Sequence, residues 1–376
     1  MRAALNAGRV QFLVLGAFMG GWGAHVPSLK AAHGLSDGAL GAALLAAALG
    51  SAAMLPFAAA LVQRHGPRRC ARVAASLIAL AMAALLHAPH PLLLWALAAL
   101  LGAGSAALDV SVNAEAVLIE ERLGRPCLIG LHAMFSVGGM AAAATVAALL
   151  RAGVDPAWQL LALPAGLWAL LWWACGAMLS QPGHGEAAQA RWQWPRGRLL
   201  ALGLLAGAGF LAEGAMYDWS VVLMRDVMGA TPDIAALGYA AFAGAMAAAR
   251  FGGDWLRQRW PAHRLLAAHG ALAALAMAGV LTMASPWPAL LGLALVGLGL
   301  ANVAPLIYRV ASQQPGVTPA AGISSVVAVS FIGFVGGPPL IGALAEHWGL
   351  RAALVAVVLA ARSEGHTSEL QSQSTI

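Results

Sequence analysis

The chain has 376 residues, of which 61% are hydrophobic and only 10% charged, with a mean hydropathy of +0.78 and a formal net charge of +6. A soluble fold cannot bury that much apolar surface, so lipid must solvate much of it. The apolar runs are long and continuous, which excludes a barrel of short alternating strands, and the basic residues sit in the gaps between runs, where they set topology rather than bind nucleic acid.

The N-terminus is short and basic and leads into an apolar run without a small-residue cleavage site, which predicts an uncleaved first helix over 10–29. Further apolar segments follow at 37–62, 71–87, 92–119, 127–150 and 158–179. A hydrophilic stretch, 180–198, separates them from a second set at 199–224, 234–255, 265–284, 289–310 and 322–345, and from a last short run at 352–361. The expected fold is an all-α membrane protein: an N-terminal six-helix bundle over 1–179, a cytoplasmic linker over 180–198, and a C-terminal bundle over 199–361. Its last run spans only about 15 Å, half a bilayer. Composition breaks after Ala361, and 362–372 (RSEGHTSELQS) resembles a translated sequencing-adapter oligonucleotide. The expectation is therefore a truncated twelfth helix and a non-native tail at 362–376.

Charge orients these segments. With the N-terminus inside, inner gaps and helix ends hold fifteen arginines, among them Arg64, Arg68 and Arg257, against four basic residues outside, Lys30, Arg151, Arg225 and Arg351. That asymmetry predicts a multi-pass protein of a bacterial inner membrane with a cytoplasmic N-terminus. The chain also repeats itself. LVQRHGPRR at 61–69 resembles LRQRWPAHR at 256–264, and Gly102 and Gly104 match Gly297 and Gly299. VGG at 137–139 matches 335–337, and ALG at 39–41 matches 236–238. All four matches fall in chain order at a shift of 195 to 198 residues, the pattern of two parallel halves.

Ionisable groups inside apolar segments are costly and need a partner or a cavity. Asp109 and Asn113 are four apart and share a helix face. Asp109 lies about 16 Å from Glu120 at the inner end, near the midplane. A carboxylate there fits solute binding or proton coupling, although interhelical polar packing predicts the same residues. Glu115 and His132 are expected at similar depths on neighbouring helices, a spacing suited to a proton-relaying pair. Glu213 and Tyr217 share a face in the outer half of the seventh segment. Trp22 is a candidate cavity-lining aromatic, with an interfacial anchor as the alternative. Cys70, Cys127 and Cys175 are scattered and read as packing thiols. No phosphate-cradling loop, paired metal motif or nucleophile elbow occurs, so the expectation is a non-enzyme without cofactor or ATP-driven step.

Several stretches carry a resemblance to the major facilitator superfamily (MFS), and within it to fucose-permease-like bacterial transporters. They are WGAHVPSLK at 22–30, LDVSVN at 108–113, HAMFSVGG at 132–139, EGAMYDWS at 213–220 and GGPP at 336–339. The loop between the second and third segments is similar to the family's basic gate pattern at Arg64, Gly66 and Arg68, with Gln63 in its acidic position. The second half carries Arg250, Asp254 and Arg257 in the corresponding place. The resemblance implies two bundles that rock about a midplane site, a small solute as partner (a sugar or related metabolite), and a monomer. Proton coupling is expected because the buried groups are carboxylates and a histidine. Efflux of drugs or metabolites is the alternative direction. A receptor or scaffold is the alternative class, set aside because no gap holds a soluble signalling domain.

Overall fold

The computed structural model describes residues 1–124, 127–179, 196–314 and 319–372. The first bundle contains α1 (Arg2–Ala32), α2 (Asp37–His65), α3 (Pro67–Leu85), α4 (Pro91–Leu123), α5 (Leu128–Arg151) and α6 (Pro156–Ala174). The second contains α7 (Arg198–Val222), α8 (Pro232–Arg259), α9 (Ala262–Thr282), α10 (Pro286–Leu300), α11 (Val303–Ser312), α12 (Pro319–Trp348), α13 (Leu350–Ala353) and α14 (Val355–Ser372). Among the described residues nine helices are long and apolar enough to cross a membrane. The helices alternate between an end carrying Met1 and an end carrying Lys30.

Local sequence explains where the helices start. Proline occupies the first turn of α3, α4, α6, α8 and α10, where its missing N–H costs nothing. Ser36 caps α2 by accepting from Ala39 N at 3.2 Å, and Asp155 caps α6 by accepting from Ala157 N at 2.7 Å. Gly66 turns the chain from α2 into α3 with φ +79°, a conformation that favours glycine.

Exposed tryptophans mark two belts. Trp95, Trp158, Trp287 and Trp348 lie near the Lys30 end, and Trp172, Trp173, Trp255 and Trp260 near the Met1 end. Between them the outward surface is apolar, with Leu80, Leu161, Leu275, Leu291 and Ile332 exposed. Amphipathic rings at two levels with hydrocarbon-facing residues between them are the signature of a bilayer-embedded bundle.

The sequence repeat reappears as repeated contacts. A Cβ on Gly102 of α4 would meet the Ala47 carbonyl of α2, and one on Gly297 of α10 would meet the Phe242 carbonyl of α8. Both members of this pair shift by 195 residues. Only a missing side chain lets two backbones approach this closely, and in lipid such packing drives helix association.

One expectation is corrected. The tenth segment, expected as one helix over 289–310, is broken into α10 and α11 at Ala301–Asn302. A continuous helix would pair the Ala301 carbonyl with the N–H of residue 305, and residue 305 is proline. Hydrogen bonding resumes with Leu306 N to Asn302 O at 3.1 Å. The last apolar run, 352–361, falls in α13 and α14, and α14 packs on α9 and α7 without being among the helices apolar enough to cross a membrane. The expected linker falls almost wholly outside the described residues.

Candidate functional site

Three helices converge on the Arg250 side chain. Its Nη2 donates to Glu213 Oε1 of α7 at 3.1 Å, and its Nη1 donates to Ser136 Oγ of α5 at 2.9 Å. Its Nε donates to the Ala301 carbonyl at 3.3 Å, the acceptor orphaned by the helix break. All three guanidinium nitrogens are therefore committed, one of them across the boundary between the bundles. Arg250 and Glu213 side chains are 19% and 16% exposed, so the pair is held largely out of water. Irregular backbone at such a depth is tolerated where neighbouring groups satisfy it, and discontinuous helices of this kind frame transporter sites.

Tyr217, one turn beyond Glu213, reaches both Glu213 and Arg250 with its hydroxyl and donates to Met246 Sδ at 3.3 Å. Its ring lies 5.3 Å from Tyr239 and 5.1 Å from Phe242, forming an aromatic wall. Tyr239 approaches α1 at Gly23, whose missing Cβ admits the ring. His132, one turn before Ser136, stands edge-on to Phe12 at 4.9 Å and within electrostatic reach of Arg250.

Asp109 is set apart from this cluster. Its Oδ1 accepts from Asn113 Nδ2 at 3.0 Å, and Asn113 Nδ2 also bonds the Asp109 carbonyl at 2.9 Å. Asp109 is accessible on α4. Asn113, Val117 and Glu121 follow at successive turns and carry this accessible stripe toward the Met1 end. Near that end a cavity of about 480 Å³ also opens between α1, α5 and α8, lined by Arg9, Leu131, Met134 and Phe251.

The other expected residues take different places. Glu115 is buried and accepts from Leu179 N at 2.6 Å, so its carboxylate ties down the chain after α6 and is not paired with His132. Burial of an acceptor next to a free backbone N–H made this the better partner. Trp22 is 7% exposed and belongs to the apolar core. In the gate pattern, Arg64 is exposed, while Arg68 Nη2 donates to Met178 O at 2.7 Å and Gly176 O at 3.2 Å. Arg68 thus caps the carbonyls after α6. Arg250 sits in the central cluster, and the side chains of Asp254 and Arg257 lie outside the described residues. Sequence reading missed Ser136 as a partner of Arg250, and it missed Asp226 and Glu346. Arg250 lies four residues before Asp254 inside an apolar run, and that depth was the available signal.

Comparison with known proteins places the chain. Residues 10–329 match the family model of the Major Facilitator Superfamily. The chain is 32% identical over 352 residues to an uncharacterized MFS-type transporter of Yersinia pestis, covering 93% of this chain and 91% of that one. It is 30% identical over 358 residues to the membrane protein MosC of Rhizobium meliloti, covering 95% and 87%. Its fold resembles the nucleoside transporter NupG at a TM-score of 0.76 and 11% identity, covering 99% and 98%. It also resembles the E. coli fucose:proton symporter FucP at 0.64 and 17%, covering 98% of each chain.

Proposed function

Because this chain belongs to the Major Facilitator Superfamily and is a multi-pass membrane transporter rather than an enzyme, we propose that it carries a small polar solute, a sugar or related metabolite, across a bacterial inner membrane by proton-coupled alternating access. The observation that carries this reading is the Arg250 cluster, in which a half-buried arginine of one bundle holds Glu213, a helix break and Ser136 of the other bundle. Such a junction responds to any rocking of the bundles, and Tyr217 beside it packs on the core rings of Tyr239 and Phe242.

In this reading a cleft runs from the Met1 end, the cytoplasmic side by arginine asymmetry, to Asp109. Among the described residues Asp109 has no basic partner, and a proton is the counter-charge that lets it stay within the membrane. Glu213 and Tyr217 meet the solute from the second bundle. One chain supplies both bundles of the site, so this reading needs no more than a monomer. The structural neighbours named for fucose:proton and xylose:proton symport support a sugar-like solute only as analogy.

Proteoliposomes test the proposal. With a panel of sugars and related metabolites, an imposed proton gradient should drive uptake by the parent protein. Asp109→Asn should abolish the gradient dependence while leaving solute counterflow. Gradient-driven uptake unchanged in Asp109→Asn removes Asp109 as the coupling group. Counterflow of no solute at all removes the transport reading.

A further inference from the structure

At the Lys30 end, two carboxylates of the second bundle land on two positive features of the first. Lys30, in the last turn of α1, places its Nζ 2.6 Å from Asp37 Oδ1 of α2 and 2.6 Å from Asp226 Oδ2. Asp226 is delivered by a π-helical turn, Leu223–Val227, that continues α7 and closes with Met228 N on Leu223 O at 3.2 Å. Such turns re-aim side chains and gather at functional places. The second landing is independent. Glu346 Oε2 of α12 accepts from Gly38 N of α2 at 2.7 Å, and the Ser36 hydroxyl is within reach of the same carboxylate. Gly38 lies in the first turn of α2, where backbone N–H groups have no helical partner and the helix dipole favours an anion. One turn deeper the backbones of Gly41 and Gly342 touch with no side chain between them.

We infer that Asp226 and Glu346 form a double clasp that holds the two bundles shut at the Lys30 end, and that its release is the step that admits solute from that side. The inference rests on the transport reading for its purpose but not for its geometry. Three features suit a contact that must open repeatedly. Lys30 keeps Asp37 when Asp226 departs, so opening strands no cation. Asp226 is 36% exposed, so it can leave without displacing packed side chains. The layer beneath is glycine against backbone, which separates without interdigitated side chains. Ion pairs this accessible hold weakly, as a reversible closure requires.

The chain supplies its own reporter, because Lys30 is its only lysine. Full-length protein in proteoliposomes is treated with a membrane-impermeant amine reagent, and peptide mass spectrometry separates Lys30 from the N-terminal amine. Glu346→Gln removes one clasp without touching Lys30. Gly342→Val keeps both carboxylates but blocks the backbone contact beneath them. Each should raise the Lys30 modification rate severalfold, and Asp226→Asn combined with Glu346→Gln should raise it further. Modification at the parent rate in both Glu346→Gln and Gly342→Val, in preparations that remain monodisperse, overturns the inference. Solute counterflow measured on the same vesicles separates the two ideas: altered labelling without counterflow leaves the clasp and removes the transporter function, and counterflow with unaltered labelling does the reverse.

Discussion

Arg250 of α8 donates from Nη1 to Ser136 Oγ of α5 at 2.9 Å, a hydrogen bond that joins residues 114 positions apart in different bundles. The same guanidinium is ion-paired to Glu213, so the inter-bundle contact and the buried charge pair share one side chain. Any motion that separates α5 from α8 must act on that pair.

Removing one member of the pair should therefore cost more than removing both. Arg250→Gln leaves the Glu213 carboxylate without its cation, and breaking a buried pair this way costs about 3–5 kcal/mol. The double variant Arg250→Gln with Glu213→Gln should recover most of the lost thermal stability in detergent while remaining inactive in uptake. Equal melting temperatures for the single and double variants would contradict the reading of Arg250 and Glu213 as a compensated pair.

The repeated glycine contacts predict a paired effect. Gly102→Ala and Gly297→Ala each drive a methyl into a facing carbonyl, and overpacking of this kind costs about 1–3 kcal/mol. Gly166 on α6 is exposed and meets nothing within 4 Å of an added Cβ. Gly166→Ala should be neutral or raise stability by roughly 0.5–1 kcal/mol, because it removes backbone freedom from the unfolded chain. Thermal melts of the three variants check the contrast.

Glu115 separates structure from transport. Glu115→Ala strips Leu179 N of its acceptor, and an unsatisfied buried donor costs about 1–3 kcal/mol. Glu115→Gln retains an acceptor oxygen and should be milder. Neither Glu115→Gln nor His132→Ala should change the pH profile of uptake, since the two side chains are not paired. A shifted profile in either variant would restore a relay role.

The break between α10 and α11 offers a fourth test. Pro305→Ala supplies the N–H that Ala301 lacks, so the helix can close and the Arg250 Nε bond becomes redundant. The expected outcome is a higher melting temperature and slower solute counterflow, the usual exchange where function needs an irregular backbone. Faster counterflow would show that the break is not needed.

Much of this protein was legible in its sequence. Apolar runs of bilayer length, arginine-rich gaps and glycines repeated at a shift of 195 residues determine a bundle of membrane helices in two related halves, because each follows from local hydrophobicity and backbone contact. The Gly102–Ala47 and Gly297–Phe242 contacts show the repeat acting in space as the sequence implied. Asp109 with Asn113 was also legible, since residues four apart on a helix must share a face. Partnerships between distant segments were not. Glu115 turned from His132 to Leu179 N, Arg68 capped the chain after α6, and Arg250 left the gate pattern for the central cluster. Lys30, Asp226 and Glu346 came together from three helices. Which carboxylate meets which cation depends on how bundles tilt, where a π turn re-aims a side chain, and which backbone groups lack partners. Those quantities exist only once the helices are packed, and the tertiary structure alone decided them.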